Sequence, residues 1–352
     1  MRNSFSSAVL GTIFAASAIA SAQDREPQVT VVVGNRLPSE GGEEDAPASP
    51  LTSPFGVDFD SHGNMFIVEL EGGRVHRLDA NGGFRTIAGD GSVGYAGDGG
   101  PAARATFNAM HNVAVSNTDD VYIADSWNHC IRKIDAKTGR ISTFAGTGEK
   151  GFGGDGGPAD KATFDFVMCI TFDPACEKLY IADINNRRIR VIDMQTYIVT
   201  TVAGNGEKGV PRDDAAAIDS PLIDPRAVTA DADGNVYVLE RGGHALRLVT
   251  PDGRIRTVAG TGQQGHRDGP ALQAQFGAPK HLCLGENGVL YIADDQNHAV
   301  RKYDPHSNTV TTILGHAPGD RSTCLKNPHG VTWEAGTLYV VDMGHNRILR
   351  VE

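Results

Sequence analysis

Six acidic residues close short apolar–aromatic runs: Glu69, Asp125, Asp183, Glu240, Asp294 and Asp342, at intervals of 48 to 58 residues. Carboxylates gathered into a ring would suit a divalent cation, because hard cations take oxygen ligands. Arg132, Arg190, Arg247 and Arg301, however, each follow their acid by seven residues. A repeated acid–base pair across a hairpin accounts for both sets without a ligand. A feature present in every repeat reads as structural.

A second set changes from repeat to repeat. Phe55, His111, Met168, Arg226, Lys280 and His329 each stand just ahead of a short apolar run such as Gly330-Val331-Thr332-Trp333. Asymmetric positions are where a repeat protein differentiates, so the candidate ligand-binding residues are His111, Met168, Arg226, Lys280, His281 and His329. Together they make a locally basic, hydrogen-bonding surface on an acidic chain, suited to a small anion, a carboxylated sugar or a peptide. His111, His329 and Arg226 are also the candidate catalytic residues. No cofactor is expected. A divalent metal enters only as an alternative, on His111 and His329, since two imidazoles and a guanidinium make a poor zinc site. His129, His244 and His298 fall in the repeated turns and read as turn-stabilising.

The elements that must carry these residues follow from the repeat. Each unit holds four strand-like pieces: a short apolar run, the acid-ended strand, a strand after a Gly/Asn turn such as Ile131-Arg132-Lys133-Ile134, and a strand ending in Ala-Gly such as Thr143-Phe144-Ala145-Gly146. Six such units predict an all-β fold, a six-bladed β-propeller of four-stranded antiparallel blades. Radial closure removes the exposed edges that an open row of sheets would present. The last repeat stops after its third strand. Thr30-Val31-Val32-Val33-Gly34 matches the missing fourth, so the N-terminal strand is expected to complete the last blade.

The fourth-to-first connections and second-to-third turns then share one face around the channel mouth. The long Gly/Asp loops of residues 89–108 and 146–165 lie there too, either as binding loops or as spacers between blades.

Composition bounds the rest. The chain has 352 residues, 43 of them glycine and 17 proline, without a collagen period, which suits short strands and tight turns. A net charge of −11 lacks the basic footprint of a nucleic-acid binder. Residues 1–22 read as a signal peptide: Arg2, an apolar stretch over 8–20 too short to span a bilayer, and Ala20-Ser21-Ala22 as cleavage site. The mature chain, 23–352, is expected to be one propeller domain with no membrane span, secreted or periplasmic. Five cysteines, Cys130, Cys169, Cys176, Cys283 and Cys324, leave at least one without an intramolecular partner, and their spacing picks out no pair. No Gly-x-Ser-x-Gly elbow, His-Glu-x-x-His or P-loop is present. The calcium cluster of gluconolactonase-type propellers cannot be placed on this chain.

Asn128-His129-Cys130-Ile131-Arg132 and Asn297-His298-Ala299-Val300-Arg301 resemble the NHL repeat. Gly97-Asp98-Gly99-Gly100-Pro101-Ala102, repeated at Gly154-Asp155-Gly156-Gly157-Pro158-Ala159, is similar to loops of bacterial exported NHL proteins. The resemblance covers residues 28–352 and implies the propeller, with functions that run from scaffold and receptor to lyase. It extends distantly to peptidyl-hydroxyglycine amidating lyase, whose zinc histidines sit in Pro-His motifs on alternating blades. Pro328-His329-Gly330 and Met110-His111-Asn112 match in part. Arg226 stands at the third alternate position, and Gly330 and Asn112 replace the acids that follow the lyase histidines. The resemblance thus implies two functional readings: a binding module for a small anion, peptide or partner protein on the loop-bearing face, or a lyase or hydrolase using the mouth histidines.

Overall fold

A computed structural model describes residues 27–34, 51–315 and 325–352. The leader read at residues 1–22 and Cys324 lie outside the described residues. Each repeat folds into an antiparallel sheet whose strands alternate inward and outward, so apolar residues of one blade interleave with those of the next. The innermost strands are Pro54–Phe59, Met110–Val115, Val167–Phe172, Pro225–Ala230, His281–Leu284 and Pro328–Glu334. The acid-ended second strands, such as Val121–Asp125, pair with third strands such as Cys130–Ile134, and these with outer strands such as Ile141–Ala145. Blades four and five add a two-residue fifth strand, Ala215–Ala216 and Gly269–Pro270, beyond the four predicted.

The ring closes as the sequence suggests. Val29–Gly34 pairs antiparallel with Arg347–Val351, from Val29 opposite Val351 to Gly34 opposite Arg347. Val29 and Val31 pack with Val331, Val340 and Leu349, while Val32 and Val33 pack with Leu51, Ile67 and Ile348. One strand therefore feeds the apolar layers on both sides of the closing blade.

The six acids are fully buried or nearly so, inside the blades rather than around the channel. Asp294 pairs with Arg301 at 2.7 Å, Asp125 with Arg132 at 3.3 Å and Asp183 with Arg190 at 3.5 Å. Glu240 pairs with Arg247 at 2.6 Å. In blade six Leu349 takes the arginine position, and Arg347 reaches Asp342 at 2.7 Å from two residues earlier. In blade one His76 stands 3.1 Å from Glu69.

The second contacts of these arginines explain the long loops. Asp98, Asp155 and Asp268 lie 2.6, 2.7 and 2.6 Å from Arg132, Arg190 and Arg301. The same aspartates accept hydrogen bonds from Thr143, Thr201 and Thr312 of the outer strands. Each guanidinium also faces a fully buried ring, Phe107, Phe164 or Phe276, at 5.3 to 5.6 Å. The Gly-Asp-Gly-Gly loops are thus structural clamps. Their aspartate has to reach back to a buried arginine, and Gly97 supplies the φ of +103° and the closeness to Ala105 that a side chain would block.

Histidines of the turns, read from the sequence as turn-stabilising, reach across to the neighbouring blade. His129, His244 and His298 adopt left-handed backbone and accept, through Nδ1, the N–H of Phe166, Ala278 and Asn327 in the next blade at 3.1 to 3.3 Å. Cys130, Cys169, Cys176 and Cys283 are unpaired. No helix among the described residues is long and apolar enough to cross a membrane.

Candidate functional site

The innermost strands begin with a register shift that throws one residue out of the ladder. Pairing jumps between Pro54 and Gly56, Met110 and Asn112, Val167 and Cys169, and Pro225 and Ala227. Phe55, His111, Met168 and Arg226 are the residues released; in blade six the irregularity spans His329 and Gly330. Bulges re-aim a side chain, here toward the axis at the end where the clamping loops lie. The set read from the sequence is thereby brought to one end of the channel.

The sequence reads this set as a locally basic, hydrogen-bonding surface; the structure buries most of it. Phe55, His111, Met168, Arg226 and His329 are all buried. Arg226, only 4% exposed, donates from Nη2 to His329 Nε2 at 2.8 Å and from Nη1 to the Met168 sulfur at 3.4 Å. Phe55 packs on His329 with ring centroids 3.3 Å apart and meets His111 edge-on at 4.8 Å. His111 Nδ1 donates to the Ala109 carbonyl at 2.8 Å. Phe166 continues the aromatic row from His111, and Trp127, 57% exposed, continues it to solvent.

The imidazoles are neutral, which corrects the basic reading of the histidines. Burial, then the Arg226 charge, pushes His111 down to about 3 and holds His329 well below its ordinary value. Positive charge rests instead on three side chains. Arg241 is paired with Asp224 at 2.6 Å, and Lys280 faces Asp295 at 3.7 Å. Arg226 has no carboxylate within ion-pair distance among the described residues, and burial and Arg241 push it down to about 9, still charged at neutral pH.

His281 is not at the mouth. It follows Lys280 by one position and sits a layer deeper, where Asn112 Nδ2 donates to its Nε2 at 3.1 Å across the channel and its Nδ1 donates to the Val331 carbonyl at 3.2 Å. The Cys169 sulfur lies 3.7 Å from the same Nε2. These three side chains cross the channel and separate the mouth from the space beyond; burial lowers His281 to about 4. The single-column reading of the sequence missed this plug, because the layer Gly56, Asn112, Cys169, Ala227, His281 and Gly330 emerges only once the bulges set the register.

The metal alternative fits poorly. Arg226 occupies the one lone pair of His329, which leaves His111 Nε2 as a lone imidazole donor with a guanidinium charge acting on it. No group of three or more His, Cys, Asp or Glu ligands gathers among the described residues.

Because each histidine is neutral when folded and gains a proton when unfolded below pH 6.5, it contributes stability that is present above 6.5 and lost as pH falls. His329→Gln is therefore expected to cost less stability at pH 5 than at pH 8, measured by denaturant melts. An equal or larger cost at pH 5 would mean that His329 is protonated in the native state.

The fold and site define a six-bladed β-propeller whose channel is plugged part-way and whose loop-side mouth encloses a buried guanidinium with no ion-pair partner among the described residues. Residues 110–134 match the NHL repeat model, and residues 161–268 match the teneurin NHL domain. The chain is a six-bladed propeller with stretches similar to NHL repeats. It is 27% identical over 287 residues to Protein SUPPRESSOR OF QUENCHING 1, chloroplastic, of Arabidopsis thaliana, covering 78% of this chain and 27% of that protein. With NHL repeat-containing protein 2 of Homo sapiens it shares 24% over 362 residues, 77% of this chain and 49% of that one. The chain thus spans half or less of the length of these relatives. Among solved structures, an auxiliary nutrient binding protein from Bacteroides thetaiotaomicron superposes with a TM-score of 0.65 at 14% identity, covering 93% of this chain and 77% of that one. Virginiamycin B lyase from Staphylococcus aureus gives 0.55 at 14% identity, covering 93% and 99%.

Proposed function

We propose that this protein is a binding module, exported by the leader read at residues 1–22, that takes a small anionic ligand, or the acidic end of a peptide or partner protein, at the loop-side mouth of its channel. The observation that carries the reading is Arg226: a buried guanidinium bonded to a thioether and an imidazole, with no carboxylate beside it among the described residues. Burying a charge is costly unless an opposite charge or strong hydrogen bonds offset it, and an incoming carboxylate would supply both in bidentate form. Lys280 and Arg241 add long-range attraction, and the exposed ring of Trp127 offers an apolar approach. The nutrient-binding structures with the same fold support a binding role.

Calorimetric titration of the purified chain with acetate, benzoate, sulfate and their neutral amides tests this. Carboxylates are expected to bind and the amides not. Absence of binding by every anion would overturn it.

The lyase or hydrolase alternative draws on one observation, the buried His329 Nδ1 without a hydrogen-bond partner. A structural relative adds weight: a catalytically inactive histidine-to-alanine variant of virginiamycin B lyase was solved with quinupristin. Elemental analysis of the native protein and a His111→Ala/His329→Ala double variant separates the readings. Stoichiometric zinc or calcium lost in the double variant favours the enzyme; metal-free protein of unchanged stability removes its metal-dependent form.

A further inference from the structure

Beyond the plug, at the end away from the loops, the channel widens into a chamber of about 220 Å³. That is room for roughly seven waters at about 30 Å³ each. Its wall carries Asp58, Thr171, Thr229 and Thr332 from the inner strands, with Trp333 and Phe172 at its apolar side.

Inner strands of neighbouring blades are joined by side chains, and most of these are neutral. Asn112 accepts the Ile170 N–H at 3.0 Å, His281 donates to the Val331 carbonyl, and Thr332 donates to the Val57 carbonyl at 2.6 Å. Blade one instead uses a carboxylate: Asp58 accepts the Val115 N–H at 2.8 Å. An asparagine would accept that bond without the cost of burying a charge. No cationic side chain of the described residues pairs with Asp58; burial, with a smaller push from the like charge of Glu334, raises its carboxyl to about 7, and an incoming cation would favour the ionised form. The threonines are also set as acceptors. Thr332 spends its proton on Val57 and Thr171 spends its own on the Phe172 carbonyl, which leaves their lone pairs available.

We propose that this chamber is a second binding site, specific for a small primary amine, with the ammonium group donating to Asp58, Thr171 and Thr332 and its body against Trp333. Three acceptors match the three N–H donors of an ammonium group, and the carboxylate supplies the counter-charge. The site is separate from the anion site, because the Asn112–His281 crossing lies between them.

The test is calorimetric titration of the full chain with propylammonium, with propanol as the uncharged match and with sodium, potassium and calcium chloride as the metal arms. Propylammonium is expected to bind and propanol to bind about tenfold more weakly or not at all. Asp58→Asn keeps an acceptor for Val115 and is expected to fold, checked by its melting curve, while losing about tenfold or more in amine affinity. Equal binding of propanol, binding by the metal salts alone, full amine affinity in Asp58→Asn, or no amine binding by the native chain would each overturn the proposal.

Discussion

Arg301→Ala is expected to destabilise the protein by about 3–5 kcal/mol, the usual cost of removing one partner from a buried ion pair. The side chain is fully buried, bonded to Asp294, Asp268 and the carbonyls of Gln275 and Arg267. Its removal leaves the Asp294 carboxylate uncompensated in the blade and releases the loop aspartate that clamps the outer strand. Urea melts with an unchanged slope would give the loss directly. A cost below about 1 kcal/mol, the worth of an exposed pair, would show that the acid–arginine columns do not hold the blades. Arg132→Ala and Arg190→Ala repeat the test in blades two and three, where the same three groups meet.

Arg226→Met should do the reverse to stability while removing function. Methionine fills much of the same volume, and no acid among the described residues pairs with Arg226 and would be stranded. Removing a buried charge removes its burial cost, which offsets the roughly 1–3 kcal/mol of leaving the His329 acceptor unpaired, so stability is expected to change little or rise. His329 loses only a donor to its Nε2. Anion affinity is expected to fall by about a hundredfold or more, in line with a hydrogen-bonded charge pair worth roughly 3 kcal/mol. Unchanged affinity with raised stability would place Arg226 in the core as a relic of packing. Lost affinity with lost stability would mean that the guanidinium holds the mouth together.

The opposite fates of two arginines show how far the sequence carries. Arg301 is legible because its spacing from Asp294 recurs, and recurrence at a fixed offset across a hairpin turn already gives the cross-strand pair. The closing strand is legible for a similar reason: Thr30-Val31-Val32-Val33-Gly34 repeats a pattern missing from the last unit. Arg226 stands out in the sequence as an exception in a column, but its surroundings do not. Whether His111 and His329 sit in water or under Phe55 depends on bulges that shift register by one residue, and hydrophobic pattern does not encode that shift. The same shift hid the plug, since His281 differs from its mouth-facing neighbour Lys280 by a single position. Asp98 and Asp155 stand in a repeated motif, yet only the fold shows that they, with Asp268 of a separate Arg-Asp-Gly-Pro loop, turn back to the buried arginines and not outward to a ligand.

Crystals of the full chain soaked in sodium bromide, with anomalous differences collected at the bromine edge, test the unpaired guanidinium most directly. The account predicts a bromide peak within hydrogen-bonding reach of Arg226 and its loss in Arg226→Met. A carboxylate of the chain itself resting on that guanidinium, or bromide found only at exposed lysines and arginines, would contradict it.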